Sequence, residues 1–361
     1  MGPVCNAIAG YEFTSEEMKD SIKIALKVFA KKGYTYLSDC MQNETSYKIL
    51  KQMALDDELT VRIDGVFNCN NKTMLDDLEL AKKNKDTYNV KDILKVDTVK
   101  YFVDGELAMI EPLSDEVCDA NGLKRGFRYP LLWNKEDLKK SMEDFQKQGF
   151  NIHVHSMGDY ATQVTIDCMQ NAQKYNSNNL RNIIAHCSFV TNEDKKRMGE
   201  SNIIASIQPE WQCETNGSNP ALTAFLGPET HRAIYPSKSL EDNNVVCAYG
   251  SDFPVYMPNG LSNIQTALTR VANHTIANYE SYKDYPAEMP EECITLKQAI
   301  KNQTINVAYQ FHRENLTGSL KVGKSADFIV LDKDIEKVKT NDIVDINVVE
   351  TVFKGKTVYK Q

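Results

Sequence analysis

Residues Phe150–Ala161 read FNIHVHSMGDYA, and further on Arg181–Val190 read RNIIAHCSFV. Each is a short β-branched run that ends on a histidine, and each opens into a stretch with helical spacing, the pattern of a strand–helix unit. After the first, Val164, Cys168 and Ala172 make one apolar stripe; before it, Leu138, Met142 and Phe145 make another. Both stripes read as core.

Working outward, five more runs of the same kind appear: Tyr34 to Ser38, Val61 to Phe67, Thr98 to Val103, Ile203 to Gln208 and Val245 to Gly250. Helix starts lie between them, with Thr14 and Glu17 at capping-box spacing, Asn134 ahead of Asp137, and Thr191 ahead of Asp194. Seven strands with crossover helices predict an α/β fold, a TIM-like (β/α) barrel lacking its first strand; a doubly wound open sheet also fits. No G-x-G-x-x-G or Walker A sequence follows a strand, which weakens nucleotide binding. After a helix from about Leu296 to Phe311, the chain turns strand-rich, and Lys354-Gly355 reads as a hairpin turn in a small C-terminal β appendage. Glu106 to Trp133 and Tyr279 to Glu292 interrupt the barrel pattern and are expected as loops over one face.

The chain has 361 residues, 42% of them hydrophobic, with 42 Lys plus Arg against 50 Asp plus Glu and a net charge of −8. That balance gives no electrostatic reason to expect nucleic acid or an anionic membrane, and no apolar run approaches the roughly 20 residues of a membrane span. A small-molecule partner is expected. Nine scattered cysteines without C-x-x-C spacing, and no visible secretory signal, read as reduced thiols in a cytoplasm.

In a parallel barrel, chemistry sits at the carboxyl ends of the strands. There the sequence offers His155, His186 and Asp252, with Lys100 within TVKYFVDG. The spacings are one and two strand–helix units. Taken singly, each histidine reads as an ordinary hydrogen-bonded strand end. Three such groups in this rhythm are the ligand types of a hydrolytic zinc site with a position open for water. His153 is expected on the opposite side of its strand from His155, packing or supporting a ligand. His231, His274 and His312 read as surface or structural. Gln208, Trp211 and Arg270 are candidate substrate-binding residues by position alone, with core packing as the plain alternative.

The order HVHSMGDYA, RNIIAHCSFV, ASIQPEW, YGSDFPV, LSNIQTALTR, LTGSLKVGKSADFIVLD resembles the amidohydrolase superfamily, and within it the amidohydrolase-3 branch that includes N-substituted formamide deformylases. The resemblance implies a (β/α) barrel (1–314) with half of a composite β-sandwich (315–361), and one or two divalent metals, commonly zinc, used to hydrolyse non-peptide C–N bonds. Position by position it implies His155, His186 and Asp252 as metal ligands, Asp252 as general base and then acid, and Lys100 as the lysine that is carbamylated to bridge two metals. The family's first-strand H-x-H has no counterpart here. An N-terminally truncated, catalytically dead scaffold or a mis-assigned start is therefore the rival expectation, and exposed barrel edges would favour a homo-oligomer.

Overall fold

A computed structural model describes residues 13–40, 44–105, 107–176, 179–213, 234–276, 279–287 and 289–361. His231 lies outside them. Seven strands form one sheet in chain order, all parallel: β1 (Tyr36–Asp39), β2 (Arg62–Asn68), β3 (Leu94–Phe102), β4 (Asn151–Ser156), β5 (Asn182–His186), β6 (Ile204–Ile207) and β7 (Cys247–Tyr249). Helix α1 (Ser15–Lys31) precedes β1. The crossovers include α2 (Glu44–Leu55), α3 (Met74–Tyr88), α4 (Lys135–Lys147), α5 (Asp159–Ala172) and α6 (Asn192–Glu200).

The local reasons are those the sequence carries. Thr14 and Glu17 close a capping box on α1; Asn134 caps α4 through the Glu136 N–H and Thr191 caps α6 through the Asp194 N–H. Each cap stabilises its helix by about 1 kcal/mol. Leu138, Met142 and Phe145 of α4 pack with Val164, Cys168 and Ala172 of α5 in the main core, outside the sheet. Strand β3 begins four residues before the expected Thr98, because Leu94 and Val96 are fully buried although Lys and Asp alternate with them.

The sheet curls. Val66, Ile183, Ile204, Ala248 and Phe311, drawn from β2, β5, β6, β7 and the chain after the last barrel helix, share one interior cluster. Phe29 of α1 meets Phe253, just beyond β7, with ring centres 6.1 Å apart. The flanks of β1 and β7 therefore approach one another, and both are covered by the segment that follows α7 (Gly260–Thr269), comprising α8 (Leu296–Gln303) and α9 (Ile305–Gln310). Asn306 donates to the Cys247 carbonyl of β7, and Phe311 packs on Tyr36 of β1. The single helix expected here breaks at Thr304, whose hydroxyl bonds back to the Ile300 carbonyl.

A second sheet, antiparallel in the order β10–β9–β8, consists of β8 (Phe328–Leu331), β9 (Val348–Phe353) and β10 (Lys356–Lys360). Lys354 and Gly355 form its hairpin turn with φ of 51° and 76°, the left-handed pair that a two-residue turn requires. Helix α1 packs on this sheet; Thr351 donates to the Ala30 carbonyl, and a Cβ at Gly33 would lie 3.0 Å from Ile329. No helix among the described residues is long and apolar enough to cross a membrane. The eight described cysteines are free thiols.

Candidate active site

Strands β3 and β4 pair Lys100 with His153 and Phe102 with His155. All four are in phase and face the barrel interior. The expectation that His153 lies opposite His155 is thus corrected: residues two apart on a strand share a face. His153 is buried below His155 with its Nδ1 3.7 Å from the Cys40 sulfur, and its Nε2 has no hydrogen-bond partner among the described residues.

His186 reaches the same centre by a different route. On β5, Ile183 faces the interior and Ile184 the outer core, so strict alternation would turn His186 outward. Left-handed backbone at His186 (φ 75°) and Cys187 (φ 47°) re-aims it, and its ring stands 4.6 Å from that of His155. Non-glycine residues held in this region cost on the order of 1–3 kcal/mol and concentrate at functional sites.

A hydrogen-bonding neighbour fixes the free nitrogen of His186. Gln208 donates its amide to the Ser206 carbonyl, which aims its Oε1 at His186 Nδ1, 2.8 Å away. Nδ1 then carries the proton and Nε2 keeps its lone pair. Trp211 stacks on His186 with ring centres 5.0 Å apart and planes 3° apart. His155 Nε2 faces Asp104 Oδ1 at 3.6 Å, and Phe102 lies against the His155 ring. Desolvation, and then the Lys100 charge, pull His155 down to about 4; desolvation, His155 and Lys100 pull His186 down to about 3. Both rings are neutral at pH 7.

Asp104 is the site residue that sequence reasoning missed. It is fully buried just beyond β3, accepts the N–H groups of Ala108, Met157 and Gly158, and is pushed up by burial to about 6. It thereby ties the loop after β3 to the loop after β4. Gly158 permits the crossing: a Cβ there would fall 2.2 Å from the Ala108 carbonyl oxygen. The signal was present as the Asp-Gly pair closing TVKYFVDG, at the carboxyl end of a strand.

Lys100 is buried, makes no hydrogen bond among the described residues, and is pushed below its ordinary value by desolvation, against the opposing pull of Cys40 and Asp252. Asp252 is exposed on the rim with a left-handed φ of 54°; partial desolvation raises its carboxyl and Lys100 draws it back. Among the described residues, no three His, Cys, Asp or Glu side chains are arranged to hold a metal ion. The structure brings His155 and His186 together and leaves Asp252 within electrostatic reach of Lys100, without closing the expected set of three.

Gln208 and Trp211 belong to the site through His186. Arg270 does not reach it: its buried guanidinium donates to the Ile234 and Tyr235 carbonyls and to Gln212, and Tyr235 packs edge-on against Trp211. Leu107 and Met109, from the first insertion, and Tyr279 and Tyr282, from the second, pack in clusters that both include Trp211. His312 bonds Asn151 at the other end of the barrel, and His274 is exposed.

The donors suit a divalent ion in part. Two neutral imidazoles in contact, with His186 Nε2 left free, are borderline nitrogen ligands of the kind zinc takes. A third ligand is not in place.

A profile described as the amidohydrolase family matches residues 2–359. The chain is 27% identical to the Arabidopsis thaliana protein LONG AFTER FAR-RED 3 over 96% of its own length and 58% of that protein's. To the N-substituted formamide deformylase of Arthrobacter pascens it is 24% identical over 74% of its length and 46% of the enzyme's. It thus spans about half the length of these relatives. A solved metal-dependent hydrolase of Pyrococcus horikoshii superposes with a TM-score of 0.74 at 20% identity, covering 93% of this chain and 63% of that one.

Proposed function

The chain belongs to the amidohydrolase family, in its third branch, and on that premise we propose that it hydrolyses a non-peptide C–N bond (an amide, formamide or cyclic amide) with a divalent metal, zinc in the first instance. The observation that carries this reading is the His155–His186 pair, uncharged and set against each other by a strained turn.

His155 and His186 would hold the ion, with Lys100 acting electrostatically on both and on Asp252. A divalent ion there supplies polarisation of the substrate carbonyl and acidification of water. Gln208 fixes the His186 tautomer, and Trp211 shields one face of that ring from water. Asp252, on the solvent-facing rim, takes the proton of the attacking water and returns it to the departing nitrogen, a base that becomes an acid. Lys100, whose burial favours the uncharged amine, attacks carbon dioxide through Nζ; a C–N bond forms, one proton leaves, and the resulting carbamate adds anionic oxygen to the donor set.

The absence of a closed set of three ligands among the described residues favours a second reading, a chain that keeps the fold without turnover. One experiment separates them. Metal content is measured by atomic emission after incubation with zinc and bicarbonate, alongside hydrolysis of a panel of N-substituted formamides and small lactams. Stoichiometric zinc lost in His155→Ala and His186→Ala, with turnover, supports the hydrolase. Zinc without turnover supports the second reading, and no zinc at all removes both the site and its mechanism.

A further inference from the structure

Helix α1 buries one side and leaves the other bare. Leu26 is buried in a cluster with Phe353 of the small sheet, against which Met18 and Ile22 of the same helix also pack, and Ala30 is buried one turn on. Away from that side runs a stripe at helical spacing, Glu16, Asp20, Ile24, Lys27 and Lys31, and every member of it is exposed. At its middle Ile24 is 64% exposed, and Val28, one turn further, is exposed as well.

Lys19 and Lys23, on the flank of the helix, both reach Glu58, whereas Glu16, Asp20, Lys27 and Lys31 make no ion pair among the described residues. The order of these four charges is symmetric. Acid precedes Ile24 and base follows it, and the pairs Glu16 with Lys31 and Asp20 with Lys27 share one midpoint, between Lys23 and Ile24. Such a stripe is complementary to itself when turned end for end. The helix dipole favours acid first and base last, but gives no reason for an exposed isoleucine at the centre. Apolar surface also continues to one side, where Phe253 lies against Phe29 of α1 and is exposed together with Val255.

We propose that this stripe is a homodimer interface, a second copy of the chain laying its α1 antiparallel on the first about a two-fold axis at that midpoint. Asp20 of one copy then faces Lys27 of the other and Glu16 faces Lys31, around the two Ile24 side chains, with Phe253 and Val255 at the edge. A self-complementary contact of this kind closes at two copies. The helix has 17 residues and is therefore about 25 Å long. A contact built on it lies at the small end of interfaces, below about 1,200 Å², so the dimer is a transient one with micromolar dissociation. It shares no residue with the imidazole centre and is independent of the hydrolytic reading.

Sedimentation velocity of the whole chain over a concentration series tests this, with the melting temperature of each variant recorded as a check of folding. A dimer is expected, with a dissociation constant raised about tenfold in Asp20→Lys and in Lys27→Asp, because each reversal sets like charges opposite one another at two symmetry-related places. The Asp20→Lys/Lys27→Asp chain restores opposite charges across the axis and should return to within about threefold of the native constant. Ile24→Asp should be a monomer that melts with the native chain. A native chain that stays monomeric up to about 100 μM overturns the proposal, as does a dimer that survives Ile24→Asp, single reversals without effect, or a double variant no tighter than the single ones.

Discussion

The two ends of the barrel bury charged and titratable groups in opposite styles. At the amino end, Asp64 accepts from Arg313 and from the Tyr36 hydroxyl, and Arg62, fully buried, is paired with Asp327 and Asp92. Those bonds join β2 to the chain after α9 and to the small sheet. At the carboxyl end, His153 Nε2 lacks a partner, Lys100 makes no hydrogen bond, and two imidazoles face each other. Burying a polar group without a partner costs on the order of 1–3 kcal/mol. Ion pairs tie the floor together, whereas the buried titratable groups at the mouth lack such pairs among the described residues.

The comparison can be broken most directly at the floor. Arg313→Ala leaves Asp64 buried without its cation, so that it must stay charged unpaired or take up a proton, and a loss of up to about 3–5 kcal/mol is expected in urea unfolding. A loss no larger than at a surface position would refute the assignment of the floor as structural.

A second expectation concerns pH, because buried carboxyls and buried imidazoles respond with opposite sign. Asp64 is raised from 3.8 to about 6, so its contribution is fully present below pH 3.8 and is lost as pH rises through 6. His155 and His186 are lowered from 6.5 to about 4 and about 3, so theirs is present above 6.5 and lost as pH falls through those values. Each pH unit over which the proton count differs by one corresponds to about 1.4 kcal/mol. Melting temperature should fall between pH 6.5 and 5 in the native chain. In a His155→Gln/His186→Gln variant it should hold or rise; parallel curves would mean that the mouth imidazoles are not the buried, neutral groups described.

Asp104 sharpens the boundary between the styles, since its paired carboxylate sits at the unpaired end. Asp104→Asn turns an amide N–H toward three backbone donors, and a cost of about 1–3 kcal/mol is expected. The ¹⁵N shifts of His155 should change with it, because the carboxylate no longer attracts the Nε2 proton; unaltered shifts would show that Asp104 only ties loops. The smallest effect is expected at Lys100. Lys100→Met removes a buried amine that makes no hydrogen bond, and stability should hold or rise by up to about 1 kcal/mol; a clear loss would place Lys100 among the structural groups.

Much of this was legible in the chain. All seven barrel strands lie within a few residues of their expected places, because β-branched runs ending in polar groups are a local signal. His155, His186, Lys100 and Asp252 fall at or beside strand ends for the same reason. Other features were legible only in part. Asp104 is marked only by its Asp-Gly pair at a strand end, and what it binds includes the Met157 and Gly158 N–H groups more than fifty residues away. His186 would face the wrong way by alternation, and its left-handed turn is not written in NIIAH.

The sequence by itself determined the periodicity, the caps, the order of the strands and which strand tips carry imidazole or carboxylate, since each depends on residues within a turn or two of one another. Tertiary structure alone decided which of those tips meet and which buried charge found a partner. Pairing and desolvation are set by groups distant along the chain, whose mutual approach no local pattern encodes.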